Sequence, residues 1–459
     1  MKSPLEDALT ASDVEPSPAD LPNEGLRLTP WQIVTVSMLI LGYAGYYLCR
    51  VHLSVSTPSL IEDHALGLTK RKIGDISSMG LLFYAAGKFL LGSGADILGG
   101  KKMFMVGMGG AILCSVLFGM SSTLPLFTAV WAMNRAVQAG GWASIVKISS
   151  RWFSYSIYGT IMGLISLSYL FGDFLSRLFL GGLLKGLEHN HVEHAWRILF
   201  FAAAGVLGII FVACLFTVKE TPAEVGDPEP QTNPENVYGE EGEIAEQTSI
   251  ARLLLPLLTN PVFWVVCILS FGFTMVRETF NNWIPTYLVE VTHMKKSDAA
   301  LWSSLFPLFG GFSVLIAGFL SDRMGHTGRA RIILGGLILA TPALLALAYT
   351  NFNGSPVLPI IAFGAIAFLM LGPYSFLAGA IGMDFGGKKG SATASGWIDG
   401  IGYIGGMLAG SYIGHVADNA GWATAFRDLA AIGALTTVAA AVYLWQRSRP
   451  EEGRGMSRC

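Results

Sequence analysis

Apolar runs long enough to cross a bilayer recur twelve times, near residues 31–61, 71–95, 103–121, 124–147, 155–185, 196–218, 260–290, 298–321, 331–350, 356–383, 391–417 and 421–446. The first is about thirty residues long and would extend ~45 Å as a helix, more than the ~30 Å hydrocarbon core of a bilayer. A polar stretch from Lys219 to Thr248 separates six runs from six. It holds Pro222, Pro228, Pro230 and Pro234 and the acidic run Glu240, Glu241 and Glu243, and reads as a solvent-exposed linker. The pattern predicts an all-α membrane protein with twelve transmembrane helices in two six-helix bundles. Its parts would be a tail over 1–30, a first bundle over 31–218, a linker over 219–259, a second bundle over 260–446 and a tail over 447–459.

The two bundles read as copies. Arg50 and Pro58 are matched by Arg277 and Pro285, both at an offset of 227. Gly92, Asp96 and Gly99 are matched by Gly318, Asp322 and Gly325 at 226, and so are Trp196 and Phe200 by Trp422 and Phe426. Six spans per copy keep the orientation, so the repeat is parallel about an axis along the membrane normal. A substrate site is expected at midplane between the halves, with Arg50 and Arg277 facing it.

Composition narrows the class. Of 459 residues 52% are hydrophobic and 14% charged, which excludes an ordinary soluble globular protein, and 55 glycines suit close helix packing in lipid. A net charge of -2 argues against nucleic acid as a partner. No amino-terminal signal peptide is expected from the acidic first thirty residues. Cys49, Cys114, Cys214 and Cys267 lie in apolar spans and Cys459 ends the chain, with no metal or disulfide spacing. Basic turns at Lys101–Lys102, Arg323 to Arg331 and Lys388–Lys389 place that side, and both termini, in the cytoplasm by the positive-inside rule. Lys70, Arg71, Lys72, Lys295 and Lys296 fall on the other side.

Charges inside the spans carry the chemistry. Arg50 lies just past the middle of the first run, with Tyr43, Tyr46 and Tyr47 on its side of the helix. A guanidinium at that depth costs several kcal/mol unless it faces a watery cavity or a partner. Arg50 and Arg277, one from each half, make a clamp for an anion, because guanidinium forks hold phosphate bidentately and stay charged. Lys88, with Tyr84 four residues earlier, is a third cation that either joins the cavity or snorkels toward the cytoplasm. Three cations favour phosphate over a monocarboxylate. Glu278, about 100° around the helix from Arg277, is expected to face a neighbouring span. Further charges stand at Arg135, Asp173, Arg177 and Asp399. Asp173 and Arg177 are spaced to neutralise each other, whereas Asp399 has no partner in its own helix and would pair across the cavity or bind a proton. Glu188, His189, His191, Glu193 and His194 crowd one loop without a recognised metal-ligand spacing, so a solvated loop is expected. There is no nucleophile–base arrangement and no nucleotide motif, so neither an enzyme nor a cofactor is expected.

The stretch Gly92-Ser93-Gly94-Ala95-Asp96-Ile97-Leu98-Gly99-Gly100-Lys101-Lys102, echoed by Gly318-Phe319-Leu320-Ser321-Asp322-Arg323-Met324-Gly325, resembles the loop motif of the major facilitator superfamily. The resemblance implies that Asp96, Asp322 and Arg323 latch one conformation. Asp96 is followed by Ile97 where the motif has arginine, so the first latch is expected to be the weaker. Gly42-Tyr43-Ala44-Gly45-Tyr46-Tyr47-Leu48-Cys49-Arg50 resembles the first helix of the organophosphate:phosphate antiporters. Gly87 to Ser93, Gln138 to Trp142, Trp283 to Leu288 and Leu371-Gly372-Pro373 continue the likeness. It implies that Arg50 and Arg277 bind a phosphoryl group, Lys88 assists, and Tyr43, Tyr47, Tyr84 and Tyr403 line the site. It also implies exchange of an organic phosphate for inorganic phosphate by a monomer in the inner cell membrane. Departures are Leu167 to Leu170, where the family has a histidine, and Asn282, where it has aspartate. Two rival readings stand beside this one: a proton-coupled symporter of a sugar-acid-like anion, using Asp173 or Asp399, and a membrane sensor of an organophosphate.

Overall fold

The computed structural model describes residues 28–244, 249–294, 299, 302–349 and 356–448. The remaining residues of both tails, Lys295, Lys296 and the turn Asn351 to Ser355 lie outside the described residues, as do the side chains of Lys70, Arg71 and Glu188. In the first half the helices are α1 (Pro30–Glu62), α2 (Lys70–Leu98), α3 (Gly100–Met120), α4 (Leu124–Gln138), α5 (Gly140–Trp152), α6 (Tyr158–His189) and α7 (Ala195–Thr217). A short α8 (Ile250–Leu258) precedes α9 (Pro261–Thr292), α10 (Leu305–Arg323), α11 (Gly328–Tyr349), α12 (Val357–Phe376), α13 (Gly382–Ala420) and α14 (Trp422–Arg447). A single π-helical turn, Leu377–Ile381, joins α12 to α13.

Ten segments among the described residues are long and apolar enough to cross a membrane. Two details raise the crossings to twelve. The fourth is broken at Ala139, before the weak helix formers Gly140 and Gly141, into α4 and α5, each too short alone. The tenth and eleventh are read as one segment, Val357–Ala420, although the chain turns back within it. The reversal uses Gly387 at φ 53°, where a Cβ would stand 2.7 Å from the Gly242 carbonyl oxygen. The chain therefore begins and ends its crossings on one face, called here the terminal face.

Each half buries its own apolar core. One is built around Phe104, Trp152 and Leu207, the other around Phe273, Phe363 and Leu429. Large apolar side chains such as Phe174, Ile209, Phe216 and Leu435 remain exposed on the outside, where lipid replaces water. Cys49, Cys114, Cys214 and Cys267 are free and buried.

The halves meet along two seams, α2 against α13 and α6 against α10. Glycine makes both possible. A Cβ on Gly396 would lie 2.5 Å from the Lys88 carbonyl oxygen, and one on Gly318 would lie 2.6 Å from that of Gly159. Each seam is closed at the terminal face by an aspartate that caps a helix of the other half. Asp96 accepts from the Thr393 amide at 2.6 Å, the Ala392 amide at 3.4 Å and the Thr393 hydroxyl at 2.7 Å. Asp322 accepts from the Gly159 and Thr160 amides at 3.0 and 2.6 Å, at the start of α6. Carboxylates there satisfy orphan amides and meet the positive end of the helix dipole.

Three expectations change at this face. Arg323 is not part of the second latch: its guanidinium lies over the Phe319 ring, 4.1 Å from the centroid, and Arg329 reaches Asp322 instead, at 3.4 Å. The first latch lacks its arginine yet is the better bonded, because Lys147 from α5 pairs with Asp96 at 2.9 Å. The linker is not a solvated strand but a strap packed across the terminal face. Its Thr232, Asn233 and Asn236 are buried, and the Val237 amide donates to the Phe385 carbonyl at 2.9 Å. Glu229 pairs with Arg151 of the first half at 2.6 Å and with Lys388 of the second at 3.4 Å.

Candidate functional site

Helical periodicity assembles the site. Tyr43, Tyr47 and Arg50 follow one another at one-turn spacing on α1, as do Tyr84 and Lys88 on α2 and Asp399 and Tyr403 on α13. These faces, with Arg277 of α9, converge on a cavity between the halves. Tyr43, Tyr47, Lys88, Arg277, Asp399 and Tyr403 line it. Arg50 stands one layer back, its guanidinium carbon 4.7 Å from the Tyr47 ring centroid and 5.2 Å from that of Tyr43. Tyr84 is buried and meets Tyr403 edge-on across the seam, at 5.1 Å between centroids.

The chamber is less positive than the sequence suggests. Lys88 does not snorkel: its ammonium is buried and pairs with Asp399 at 2.5 Å, so each supplies the partner that the other lacked. Glu278 does lie against a neighbouring span, beside Gly406, but its carboxylate also reaches Arg277 at 2.5 Å. Sequence spacing hides that contact, because adjacent helical residues point about 100° apart and only their length lets the charged ends meet. An empty site with three uncompensated cations is therefore not what the structure contains.

Arg50 has a neutral partner. Its Nε donates to Gln138 Oε1 at 2.8 Å, and the Gln138 amide in turn donates to Asn134 at 2.6 Å and to the Cys49 carbonyl at 3.1 Å. This amide relay fixes the plane of the guanidinium without cancelling its charge, and leaves Arg50 Nη2 buried with no hydrogen-bond partner. Arg277 Nε is likewise buried without a partner, while its guanidinium carbon lies 4.6 Å from the Tyr374 ring centroid. Both arginines thus keep donors free for an anion.

Several residues of the cavity wall escaped sequence reasoning. Trp142, Tyr169 and Tyr374 line it with Ser166 and Ser375. Trp142 Nε1 donates to the Ala378 carbonyl of the other half at 3.2 Å. Trp142 ends a motif already singled out, and Tyr374 directly follows Leu371-Gly372-Pro373, so proximity to those motifs was the available signal. Asp173 and Arg177 are elsewhere: they pair with each other at 2.7 Å on an exposed stretch of α6, and Arg177 also donates to Ser54. In the charged loop His194 bonds Asp63 at 2.7 Å and Trp196 Nε1 donates to the same carboxylate at 3.0 Å. Partial burial raises the Asp63 pKa, but those two hydrogen bonds outweigh it and hold the group below its usual range.

The family model described as Major Facilitator Superfamily matches residues 39–410. A probable hexose phosphate transport protein of Chlamydia pneumoniae is 28% identical over 420 residues, covering 88% of this chain and 89% of that protein. A glycerol-3-phosphate transporter of Bacillus subtilis is 28% identical over 395 residues, covering 84% and 86%. A membrane sensor protein UhpC of Salmonella typhimurium is 24% identical over 415 residues, covering 89% and 90%. Among solved structures, an Escherichia coli fucose:proton symporter, FucP, matches with a TM-score of 0.66 over 91% of this chain and all of that one, at 14% identity, which speaks to the fold alone. The three sequence relatives match the organophosphate:phosphate antiporter group that the first-helix motif resembles. With a match running from the first crossing into the eleventh, the chain is a non-enzymatic transporter-fold protein and belongs to the Major Facilitator Superfamily.

Proposed function

We propose that this protein is a secondary active transporter that exchanges a small phosphorylated metabolite, of the glycerol phosphate or sugar phosphate type, for inorganic phosphate. Residues 31–218 and 260–446 act as two rocking units, the linker 219–259 joins them on the cytoplasmic side, and the monomer resides in the inner cell membrane with both termini cytoplasmic. Arg50 and Arg277 hold the phosphoryl group, Lys88 assists, and Tyr43, Tyr47, Tyr84 and Tyr403 shape the pocket.

One observation carries this reading. Lys88, Arg277 and Asp399 line the cavity, and behind its wall stand Arg50 and Arg135, both by the Tyr84 ring, and Glu278, which makes four cations against two carboxylates. The excess of two positive charges matches a phosphate monoester or inorganic phosphate in its dianionic form. A dianion entering from the face opposite the termini satisfies the free guanidinium donors of both halves and draws α1 toward α9. That closure competes with the aspartate latches at the terminal face, so the loaded protein reorients more readily than the empty one.

Counterflow tests the reading. Proteoliposomes loaded with labelled phosphate should release it when glycerol phosphate or a hexose phosphate is offered outside, and not when a sugar acid is offered. Release driven by a pH gradient with a sugar acid, and none with any phosphate ester, would overturn it in favour of proton-coupled symport. For that rival, Asp399 and Asp173 each already have a cation partner. The similarity to a protein named as a membrane sensor supports a second reading, in which the same site binds an organophosphate without moving it. Binding without counterflow would be its signature.

A further inference from the structure

The excess charge of the chamber is not shared between the halves. Lys88 is neutralised by Asp399 and Arg277 by Glu278, both at 2.5 Å. What is left belongs to Arg50 and Arg135, both in the first half, and neither has a carboxylate partner among the described residues.

Arg135 lies on α4 one turn before Gln138, the residue that orients Arg50, so the two project from one face. Its guanidinium carbon is 4.5 Å from the centroid of the Tyr84 ring. The same ring has the Arg50 guanidinium carbon at 5.3 Å and the Lys88 ammonium at 4.8 Å. The two guanidinium carbons are therefore no farther apart than the sum of their distances to that centroid. A phenol face offsets only a fraction of a buried like-charge pair. Neither arginine is sealed off, since both are half-buried, and Arg50 keeps a buried nitrogen with no partner. Two uncompensated cations held at membrane depth around one ring are tolerable where an anion regularly sits between them.

We propose that Arg135 is a substrate-binding residue that forms, with Arg50, a guanidinium pair taking the dianionic phosphoryl group. Arg277, already paired with Glu278, contacts the anion from the other side. This inference rests on the phosphate-exchange reading for its ligand. It adds that the first half alone bears the charge that selects a dianion over a monoanion.

The test uses the full-length protein in nanodiscs, with inorganic phosphate as the probe and calorimetric binding as the readout, beside phosphate exchange in proteoliposomes. Arg135→Gln should weaken phosphate binding about tenfold or more, the loss expected for a charge-assisted contact. It should also flatten the pH dependence of affinity between about pH 6 and pH 8, where phosphate passes from monoanion to dianion. Arg135→Lys should bind phosphate with an affinity between those of the wild type and Arg135→Gln, and it replaces Arg135→Gln as the test if that variant does not fold. A structural role would lower the unliganded thermal midpoint and leave the slope with pH as in the wild type. Wild-type affinity and slope in both variants would overturn the inference while leaving exchange untouched. Phosphate binding that weakens in Arg135→Gln, with no exchange by the wild type, would uphold it and overturn the transport reading. A wild type that binds no phosphate would overturn both.

Discussion

Lys88 of the second crossing and Asp399 of the eleventh meet at 2.5 Å, and they come from opposite halves of the molecule. Both are buried, so this pair fastens the halves together beside the cavity rather than decorating a surface. Breaking one partner leaves a buried charge alone, at a cost of about 3–5 kcal/mol. Asp399→Leu is therefore expected to lower thermal stability strongly. The double variant Lys88→Met with Asp399→Leu should regain most of the stability and keep the excess charge, yet transport less, because the cavity has then lost the Lys88 donor. A double-mutant cycle read by thermal unfolding in detergent checks it, and additive losses would refute the pairing.

The free donors of Arg50 and Arg277 are forked and planar. Arg50→Lys and Arg277→Lys keep the charge but lose the fork, and Arg50→Lys also loses the Nε that donates to Gln138. Phosphate counterflow is expected to fall to background in both. Full exchange by either variant would show that charge alone suffices.

At the terminal face Asp96 and Asp322 each cap a helix of the opposite half. Beside two backbone amides each, Asp96 holds its cation and hydroxyl closer than Asp322 does: Lys147 at 2.9 Å and the Thr393 hydroxyl at 2.7 Å, against Arg329 and the Ser321 hydroxyl, both at 3.4 Å. Asp96→Asn should shift the population toward opening at that face more than Asp322→Asn does, each by roughly 1.5–3 kcal/mol for a charge-assisted bond lost. Spin labels placed across the α2–α13 and α6–α10 seams would report the shift. Equal distance distributions in wild type and variants would count against the latch.

The seam glycines permit a steric test. Gly396→Ala sets a Cβ 2.5 Å from the Lys88 carbonyl oxygen, and Gly159→Ala sets one 2.9 Å from that of Gly318. Both contacts are with backbone, which cannot swing aside. These variants are expected to fold, to lose transport, and to remain reactive to thiol reagents at cysteines introduced on the terminal face.

How much of this was legible beforehand follows from the range of each interaction. The twelve crossings, the duplication and the tyrosine ladder beside Arg50 are written in local periodicity, which a single sequence displays. The two aspartates were legible as a repeated motif, but their partners were not: Thr393 and Gly159 sit on helices whose neighbours only packing decides. Lys88 and Asp399 each looked unpaired because helical spacing searches one helix at a time. Glu278 was assigned by the direction of its Cβ, whereas its reach decided where the carboxylate went. The linker looked solvated from its prolines and acids, yet Glu229 lies against both Arg151 and Lys388, and Glu243 reaches Lys388 at 3.1 Å.

The ledger of charges around the cavity has an electrical consequence. A carrier with two spare positive charges becomes neutral when it takes a dianion aboard, so the membrane voltage exerts almost no force on the occupied form. An unoccupied return would move those charges through the field, at up to ~2.3 kcal/mol per charge for every 100 mV. One-for-one barter is then indifferent to potential, while one-way flow is either driven or opposed by it.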